Sequence, residues 1–87
     1  LISARLLLRD AARKLDEQHP SASVFCAMAK LRATEDGFAI VDDCLQMLGG
    51  YGYLNDFPIH RYLRDLRVHR ILEGTNEIMK ELISRSL

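Results

Sequence analysis

The central stretch of the chain decides the fold; it runs from Ser21 to Leu48 and reads SASVFCAMAKLRATEDGFAIVDDCLQML. It contains no proline, and Gly37 is its one weak point as a helix. The apolar residues that fall together on a helical wheel are Val24, Ala27, Leu31, Phe38, Val41 and Leu45. With their apolar neighbours they cover over half of the wheel. The stretch is therefore predicted to be one long helix that is largely buried.

The residues before this stretch carry a second helical pattern. From Leu1 to about Gln18, apolar residues recur at spacings of three and four, which lines one face of a helix. The residues that repeat in this way are Leu1, Ala4, Leu8, Ala11 and Leu15. His19, Pro20 and Ser21 interrupt the pattern. A first helix is predicted up to this break.

Two shorter helices are predicted after the central stretch. The glycine-rich turn Gly49–Gly52 ends the long helix, and residues 55–58 supply the start of a third helix that continues to about Arg67. Thr75 or Asn76 caps a fourth helix, which carries Ile78, Met79, Leu82 and Ile83 on one face. No strand pattern and no repeat is found. Short connections between four helices predict an all-α, antiparallel four-helix bundle.

Composition sets bounds on the class of protein. The 87 residues are 48% hydrophobic and 28% charged, which is typical of one folded domain covering residues 1–87. Twelve basic and twelve acidic side chains are interspersed, a pattern that favours neither nucleic acid nor a membrane surface as a partner. No apolar run approaches the roughly 20 residues that span a bilayer. The start of the chain lacks Met, so we expect a fragment of a longer protein.

The cysteines and histidines suggest neither a disulfide nor a metal. Cys26 and Cys44 lie on the same predicted helix, about 27 Å apart at 1.5 Å per residue, so they cannot pair with each other. Reduced thiols fit a cytosolic or mitochondrial-matrix setting. His19, His60 and His69 lack the spacing of metal ligands, and we expect no metal.

The glycines at the end of the long helix do not form a phosphate loop of a known type. They follow a helix rather than a strand, and neither GxGxxG nor a GKT or GKS ending is present. Composition alone favours a helix C-cap and tight turn over ligand contact for residues 49–52.

The order of residues in the second half of the chain carries a family resemblance. It reads Gln46-x-x-Gly49-Gly50-x-Gly52-Tyr53-x-x-Asp56, then Arg61 and Asp65, then Ile71-x-Glu73-Gly74-Thr75-Asn76-Glu77-Ile78. This resembles the C-terminal signature of acyl-CoA dehydrogenases, and the two long helices before it are similar as well. The resemblance implies that residues 1–87 are the C-terminal helical domain, with the N-terminal helical and middle β-domains absent from this chain.

The resemblance implies a catalytic role for Glu73. In this family the Glu of Glu-Gly-Thr removes the α-proton of an acyl-CoA thioester while the β-hydrogen leaves as hydride to the flavin. Such a base must be a carboxylate held close to the carbon and partly desolvated. On general grounds alone, Glu73 reads as a solvated turn acid or a charge at a helix N-terminus. Some relatives carry their base on an earlier helix instead.

Two groups of residues match positions that bind FAD in the family. Thr75, Asn76 and Glu77 match residues that touch the flavin at the start of the last helix, although simple N-capping also explains them. The second group matches the stretch that receives the adenosine-pyrophosphate part of a neighbouring subunit's FAD, and it is Gln46, Met47, Leu48, Gly49 and Gly50. The resemblance therefore implies an FAD site shared between subunits of a homotetramer.

The remaining implied site residues concern the substrate. Gly74 and Arg85 match substrate-binding positions, and the guanidinium of Arg85 suits the phosphates of CoA. Arg64 and Asp65 belong to the signature, and we expect them to serve structure through salt bridges or caps.

The resemblance also implies a substrate, partners and a location. The end of the chain is similar to members that act on isobutyryl-CoA, a short branched acyl-CoA. The expected electron acceptor is electron-transferring flavoprotein, and the expected location is the cytoplasm in bacteria or the mitochondrial matrix in eukaryotes. Two other readings remain open, namely an acyl-CoA oxidase of the same fold and a non-catalytic helical interaction module.

Overall fold

The computed structural model describes all residues from Leu1 to Leu87 and contains four α-helices and no strand. These are α1 (Ile2–Asp16), α2 (Ala22–Leu48), α3 (Ile59–His69) and α4 (Asn76–Ser84), with a short 3₁₀ segment, Gly49–Tyr53, after α2. The predicted all-α fold with four helices is confirmed, and each helix lies where its sequence pattern indicated.

Local chemistry explains where the helices begin and end. Gln18 has a φ of 54° directly after α1, which turns the chain before Pro20. Gly49 ends α2 with a φ of 59°, a backbone angle that glycine adopts without steric cost. Thr75 is the N-cap of α4, because its side-chain oxygen accepts a hydrogen bond of 3.3 Å from the Ile78 N–H. The cap is therefore Thr75 rather than Asn76.

The long helix α2 is the common packing partner of the other three helices, which contact it and not one another. Its neighbours run antiparallel to it. The ammonium of Lys14, near the end of α1, lies 4.3 Å from the Phe25 ring near the start of α2. Leu66 of α3 lies against Gly37, and Arg70 after α3 pairs with Glu35, earlier in α2. Only four of the 27 residues of α2 are buried, so the prediction that this helix is largely buried is wrong for the chain by itself.

The core of the chain is small. Only nine of 87 residues are buried, and the seven buried hydrophobic ones are Ala4, Ala11, Ala22, Ala27, Ala29, Leu45 and Met79. Alanines allow the helix backbones to approach closely, but they bury little apolar area. Many large apolar side chains stay exposed, including Ile2 at 73%, Met47 at 79% and Tyr53 at 76%. Exposed apolar area of this extent is typical of surface that other protein covers.

Candidate functional site

The turn between α3 and α4 has an unusual backbone. Glu73 has a φ of 56° and Gly74 a φ of 88°, so two consecutive residues lie in the left-handed region. Residues other than glycine rarely adopt this backbone region, and they persist in it only where the surrounding structure holds them there. A Cβ added at Gly74 would lie 2.7 Å from Cε of Met79, which is buried. Glycine therefore suits position 74, whereas Glu73 is held in a conformation that its residue type rarely adopts.

Backbone hydrogen bonds close this turn on itself. The Asn76 N–H donates to the Arg70 carbonyl at 3.0 Å, joining the two ends of residues 70–76. The Met79 N–H donates to the Thr75 carbonyl at 3.0 Å, which begins the regular hydrogen bonding of α4. Glu73 lies inside the closed segment, two residues before the helix cap.

Side chains of α2 fasten the turn from below. The Lys30 ammonium donates to the Gly74 carbonyl at 2.8 Å and to Oδ1 of Asn76 at 2.7 Å. The amide nitrogen of Asn76 in turn donates to Oγ1 of Thr34 at 2.9 Å and to Oε1 of Glu35 at 2.8 Å. Asn76 is only 2% exposed, and every buried polar side-chain atom of the chain has a partner. Asn76 is therefore a satisfied buried junction.

Arg70 completes this network from the other end of the turn. Its Nε donates to Oε1 of Glu35 at 3.1 Å, and its guanidinium carbon lies 5.3 Å from the centre of the Phe38 ring. The hydrogen bond from Asn76, followed by the charge of Arg70, holds the pKa of Glu35 below its usual value. Glu35 is thus favoured as a carboxylate. We call the five residues Lys30, Thr34, Glu35, Arg70 and Asn76 the α2 latch.

Glu73 itself stays free. Its side chain is exposed, and it forms no hydrogen bond or ion pair with the rest of the chain. The α2 latch thus fixes the backbone on both sides of Glu73 while leaving the carboxylate uncommitted. A carboxylate presented in this way can accept a proton from a molecule that binds beside the turn.

The three residues that follow Gly74 differ in what they can offer a ligand. The Asn76 side chain is bound by Lys30 and Thr34, and its N–H donates to the Arg70 carbonyl, so neither group is left for an outside contact. The Thr75 oxygen accepts from Ile78, and its hydroxyl can still donate. The Glu77 N–H has no acceptor within the chain and lies in the first turn of α4. Electron-rich groups are favoured at such a helix start.

A second group of predicted site residues lies at the C-terminal end of α2, whereas the Glu73 turn packs against the middle of this helix. Gln46, Gly49 and Gly50 line a shallow depression of about 290 Å³ together with Asp42 and Tyr53 among others. A Cβ added at Gly49 or Gly50 would meet nothing within 4 Å. The backbone there is open to an approaching molecule, which fits close contact with a phosphate group. Met47 and Leu48 are exposed but do not line the depression.

The predicted site residues do not form one cluster. Thr34, beneath the Glu73 turn, and Gly49 are fifteen residues apart along the chain, about 22 Å along the axis of α2. Arg85 lies beyond the far end of α4, with 74% of its side chain exposed and an ion pair to Glu81. A single chain therefore presents three separate parts, namely residues 46–50, residues 73–77 and Arg85.

Other candidate features are absent or lie elsewhere. The largest groove, about 590 Å³ between α2 and α3, includes Ile71 but not Glu73. Arg64 and Asp65 form no ion pair within the chain, so the expected salt bridges are wrong for the chain by itself. No group of three or more potential metal-binding side chains is present. None of the helices combines the length and apolar character that crossing a bilayer requires.

The residues of the α2 latch, apart from Asn76, were not predicted from the sequence. Lys30 is the single charged residue between Ser23 and Leu31, in an otherwise apolar part of α2, and that position was the available signal. Its partners lie 44 and 46 residues away in sequence, so the helix pattern could not name them.

Comparison with known proteins agrees with the fold. The family model described as the acyl-CoA dehydrogenase C-terminal domain matches residues 1–87. The chain belongs to the acyl-CoA dehydrogenase family and is its C-terminal helical domain. It is 56% identical over all 87 residues to the mitochondrial isobutyryl-CoA dehydrogenase of Dictyostelium discoideum, and these residues cover 21% of that protein.

Solved structures extend the likeness to three dimensions. Butyryl-CoA dehydrogenase from Megasphaera elsdenii superposes with a TM-score of 0.91 at 34% identity, covering 97% of this chain and 22% of that one. A chain from a structure of the electron transferring flavoprotein of Acidaminococcus fermentans superposes with a TM-score of 0.90 at 38% identity, with coverage of 97% and 22%. The chain thus spans about a fifth of the length of the relatives it matches.

Proposed function

We propose that this chain supplies the catalytic base of a full-length, FAD-dependent acyl-CoA dehydrogenase, and that the base is Glu73. The observation that carries the proposal is the free carboxylate of Glu73 on a turn whose two ends are fastened to α2. Family membership over the whole chain supports the reaction class. The chain by itself is expected to be inactive, because it holds only part of the site.

In the proposed reaction, the Glu73 carboxylate takes the α-proton of an acyl-CoA thioester. The β-hydrogen would leave as hydride to FAD, which is the chemistry that the cofactor would supply, and the product would be a 2-enoyl-CoA. A positioned general base contributes typically about 10² to 10⁴ in rate, provided that it lies within reach of the proton. The fastened turn supports this role, because residues of this chain hold the backbone on both sides of Glu73. Other parts of the enzyme would exclude water from the exposed face of Glu73.

The cofactor contacts that we propose fit two observations. The unpartnered N–H of Glu77 and the hydroxyl of Thr75 lie at the start of α4, where an electron-rich flavin edge is favoured. The open backbone at Gly49 and Gly50 suits the pyrophosphate of a second FAD, and Gln46 would flank it. Because these places are about 22 Å apart along α2, we assign the second FAD to a neighbouring subunit of a homotetramer.

The proposed substrate is isobutyryl-CoA. The 56% identity to a protein named isobutyryl-CoA dehydrogenase supports this proposal. The proposed role of Arg85 is to hold a phosphate of CoA, which its exposed guanidinium suits. Gly74 would contact the substrate through its backbone beside the base. We propose electron-transferring flavoprotein as the acceptor, and a mitochondrial-matrix or bacterial cytoplasmic location.

The test is the Glu73→Gln variant of the full-length protein, mixed with isobutyryl-CoA without oxygen. We expect FAD to stay bound and its absorbance to remain unbleached, because an amide cannot take the α-proton. Glu17→Gln, which changes an exposed carboxylate of α1, is the matched control and should bleach as the wild type does. Bleaching of Glu73→Gln at the wild-type rate would mean that another residue is the base. Adding oxygen or the flavoprotein to the reduced wild type then separates oxidase from dehydrogenase.

A further inference from the structure

We propose that Lys30 is a positioning residue for Glu73, acting through the Gly74 carbonyl and Asn76 to hold the strained turn in place. The inference rests on the proposed function, because it concerns the same carboxylate. Lys30 lies on α2, outside the signature segment of residues 46–78, and it does not itself contact Glu73.

Lys30 supplies the only side-chain hydrogen bond to the Gly74 carbonyl, which belongs to the peptide between Gly74 and Thr75. Its ammonium donates to the Gly74 carbonyl, one residue beyond Glu73, at 2.8 Å. The same ammonium donates to Oδ1 of Asn76, the first residue of α4, at 2.7 Å. One group therefore links the left-handed pair to the helix that follows it. A fixed Gly74 carbonyl opposes rotation of the peptide between Gly74 and Thr75, and this limits the movement of Glu73 on the other side of Gly74.

The charge of Lys30 is used in an unusual way. The ammonium forms no salt bridge, and its two acceptors are neutral carbonyl oxygens. Lys14 offers the contrast, because its ammonium is also partly buried but pairs with the Asp10 carboxylate at 2.7 Å. An ammonium has three donors with no fixed plane, so it can point at a backbone carbonyl and an amide oxygen together. Burying part of an ammonium without a carboxylate partner costs free energy, and hydrogen bonds to neutral oxygens offset only part of that cost.

The rest of the α2 latch supports Lys30 rather than replacing it. Asn76 is held by Thr34 and Glu35, and Glu35 is held by Arg70. None of these side chains reaches the Gly74 carbonyl. Loss of the ammonium would therefore leave α4 anchored while the Gly74 peptide becomes free to rotate. A misplacement of about 1 Å at a reacting group can lower a rate roughly 100-fold.

The experiment compares Lys30→Met with Lys14→Met in the full-length holoenzyme. Both changes replace an ammonium by an apolar side chain of similar length, but only the first touches the Glu73 turn. The measured quantities are FAD content, the dissociation constant of a substrate analogue that cannot be oxidised, and the rate of anaerobic flavin reduction at saturating isobutyryl-CoA. For Lys30→Met we expect bound FAD and unchanged analogue binding, with reduction slowed on the order of 10-fold to 100-fold. Lys14→Met should reduce its flavin at the wild-type rate.

A rescue measurement separates positioning from a general loss of structure. Lys30→Ala removes the outer stem and the ammonium, and added propylamine has the size and charge of the missing atoms. We expect propylamine to restore part of the reduction rate in Lys30→Ala, and not to change Lys14→Ala. A structural role alone would leave the rate insensitive to the amine.

Several outcomes would overturn the inference. Wild-type reduction by Lys30→Met, with Glu73→Gln inactive, would reject the role of Lys30 while the proposed function stands. Loss of FAD or equal slowing in Lys14→Met would assign Lys30 to the fold instead. If Lys30→Met does not fold, Lys30→Gln replaces it, and failure of both to fold gives the same assignment. Bleaching of Glu73→Gln would reject the proposed function itself.

Discussion

Two glycine-bearing turns at different places along α2 are held in opposite ways. The turn that carries Glu73 is closed by its own backbone and fastened by the α2 latch. At Gly49 and Gly50 the backbone faces open space, and no side chain of the chain lies within 4 Å of where a Cβ would be. Contacts within the chain explain the glycine of the Glu73 turn. No contact within the chain explains the glycine at position 50.

The difference indicates which part of the site this domain builds alone. A strained backbone that persists must be determined by its surroundings, and for Glu73 those surroundings are residues of α2. Gly50 has no positive φ, and an added Cβ would meet nothing within 4 Å. Nothing within the chain therefore requires glycine at this position. The Glu73 turn is thus preorganised by contacts within the chain, whereas we propose that a ligand or a second subunit covers the Gly49–Gly50 turn.

The largest effect should come from breaking the latched side of this comparison. Asn76→Ala removes the partly buried hydrogen bonds of its side chain to Lys30, Thr34 and Glu35. Groups of Lys30 and Glu35 are then less satisfied. We expect the free energy of local opening of residues 70–79 to fall by about 3 kcal/mol. Native-state hydrogen exchange of the full-length protein measures it. Asn55→Ala, at an exposed residue, is the control, and equal effects of the two changes would contradict the latch.

A smaller loss is expected from Gly74→Ala. The added methyl group would meet Cε of Met79 at 2.7 Å, and alanine would have to adopt a φ of 88°. Because the end of a methionine side chain can move, the backbone term dominates, and we expect a loss of about 1 to 3 kcal/mol. The same exchange measurement tests it. Opening of residues 70–79 at the wild-type free energy would show that the turn does not require glycine.

The α2 latch should also weaken in acid, and the direction of this pH dependence follows from the lowered pKa of Glu35. Its pKa is lowered in the folded state from an ordinary value of 4.5, first by Asn76 and then by Arg70. The stability that it contributes is therefore present above pH 4.5 and is lost as the pH falls below it. We expect the difference in melting temperature between wild type and Glu35→Gln to shrink as the pH falls through this range. A difference independent of pH would contradict the assignment.

The smallest effect on stability should come from Gly50→Ala, on the open side of the comparison. The new methyl group meets nothing within 4 Å, and the residue has no positive φ. We expect an unchanged melting temperature for the protein stripped of FAD, together with weaker retention of FAD. Retention is measured as flavin released during dialysis. Unchanged retention would mean that the open backbone at Gly50 does not face the cofactor.

Much of the fold could be predicted because its causes are local. The spacing of apolar residues from Leu1 to Leu48 predicts α1 and α2 without knowledge of their partners. Gly49 and Thr75 mark a helix end and a helix start through their own backbone and side-chain chemistry. The 3₁₀ segment was predicted only as a tight turn, since its hydrogen bonding depends on how the chain leaves α2.

The site was predictable to a smaller extent. The order of residues 73–77 indicated where the carboxylate lies, and Gly74 next to Glu73 indicated a turn. The contacts of Lys30 depend on the register of α4 against α2, which no periodicity within one helix contains. Asn76 could be placed at a helix start, yet the inward direction of its amide follows only from the same register.

A crystal structure of the full-length enzyme with FAD and a non-oxidisable acyl-CoA analogue tests the central claim most directly. The decisive quantity is the distance from the Glu73 carboxylate to the α-carbon of the analogue. The account predicts about 3 to 3.5 Å, with Lys30 still bound to the Gly74 carbonyl. A Glu73 side chain directed away from the analogue, with a different carboxylate at the α-carbon, would contradict it.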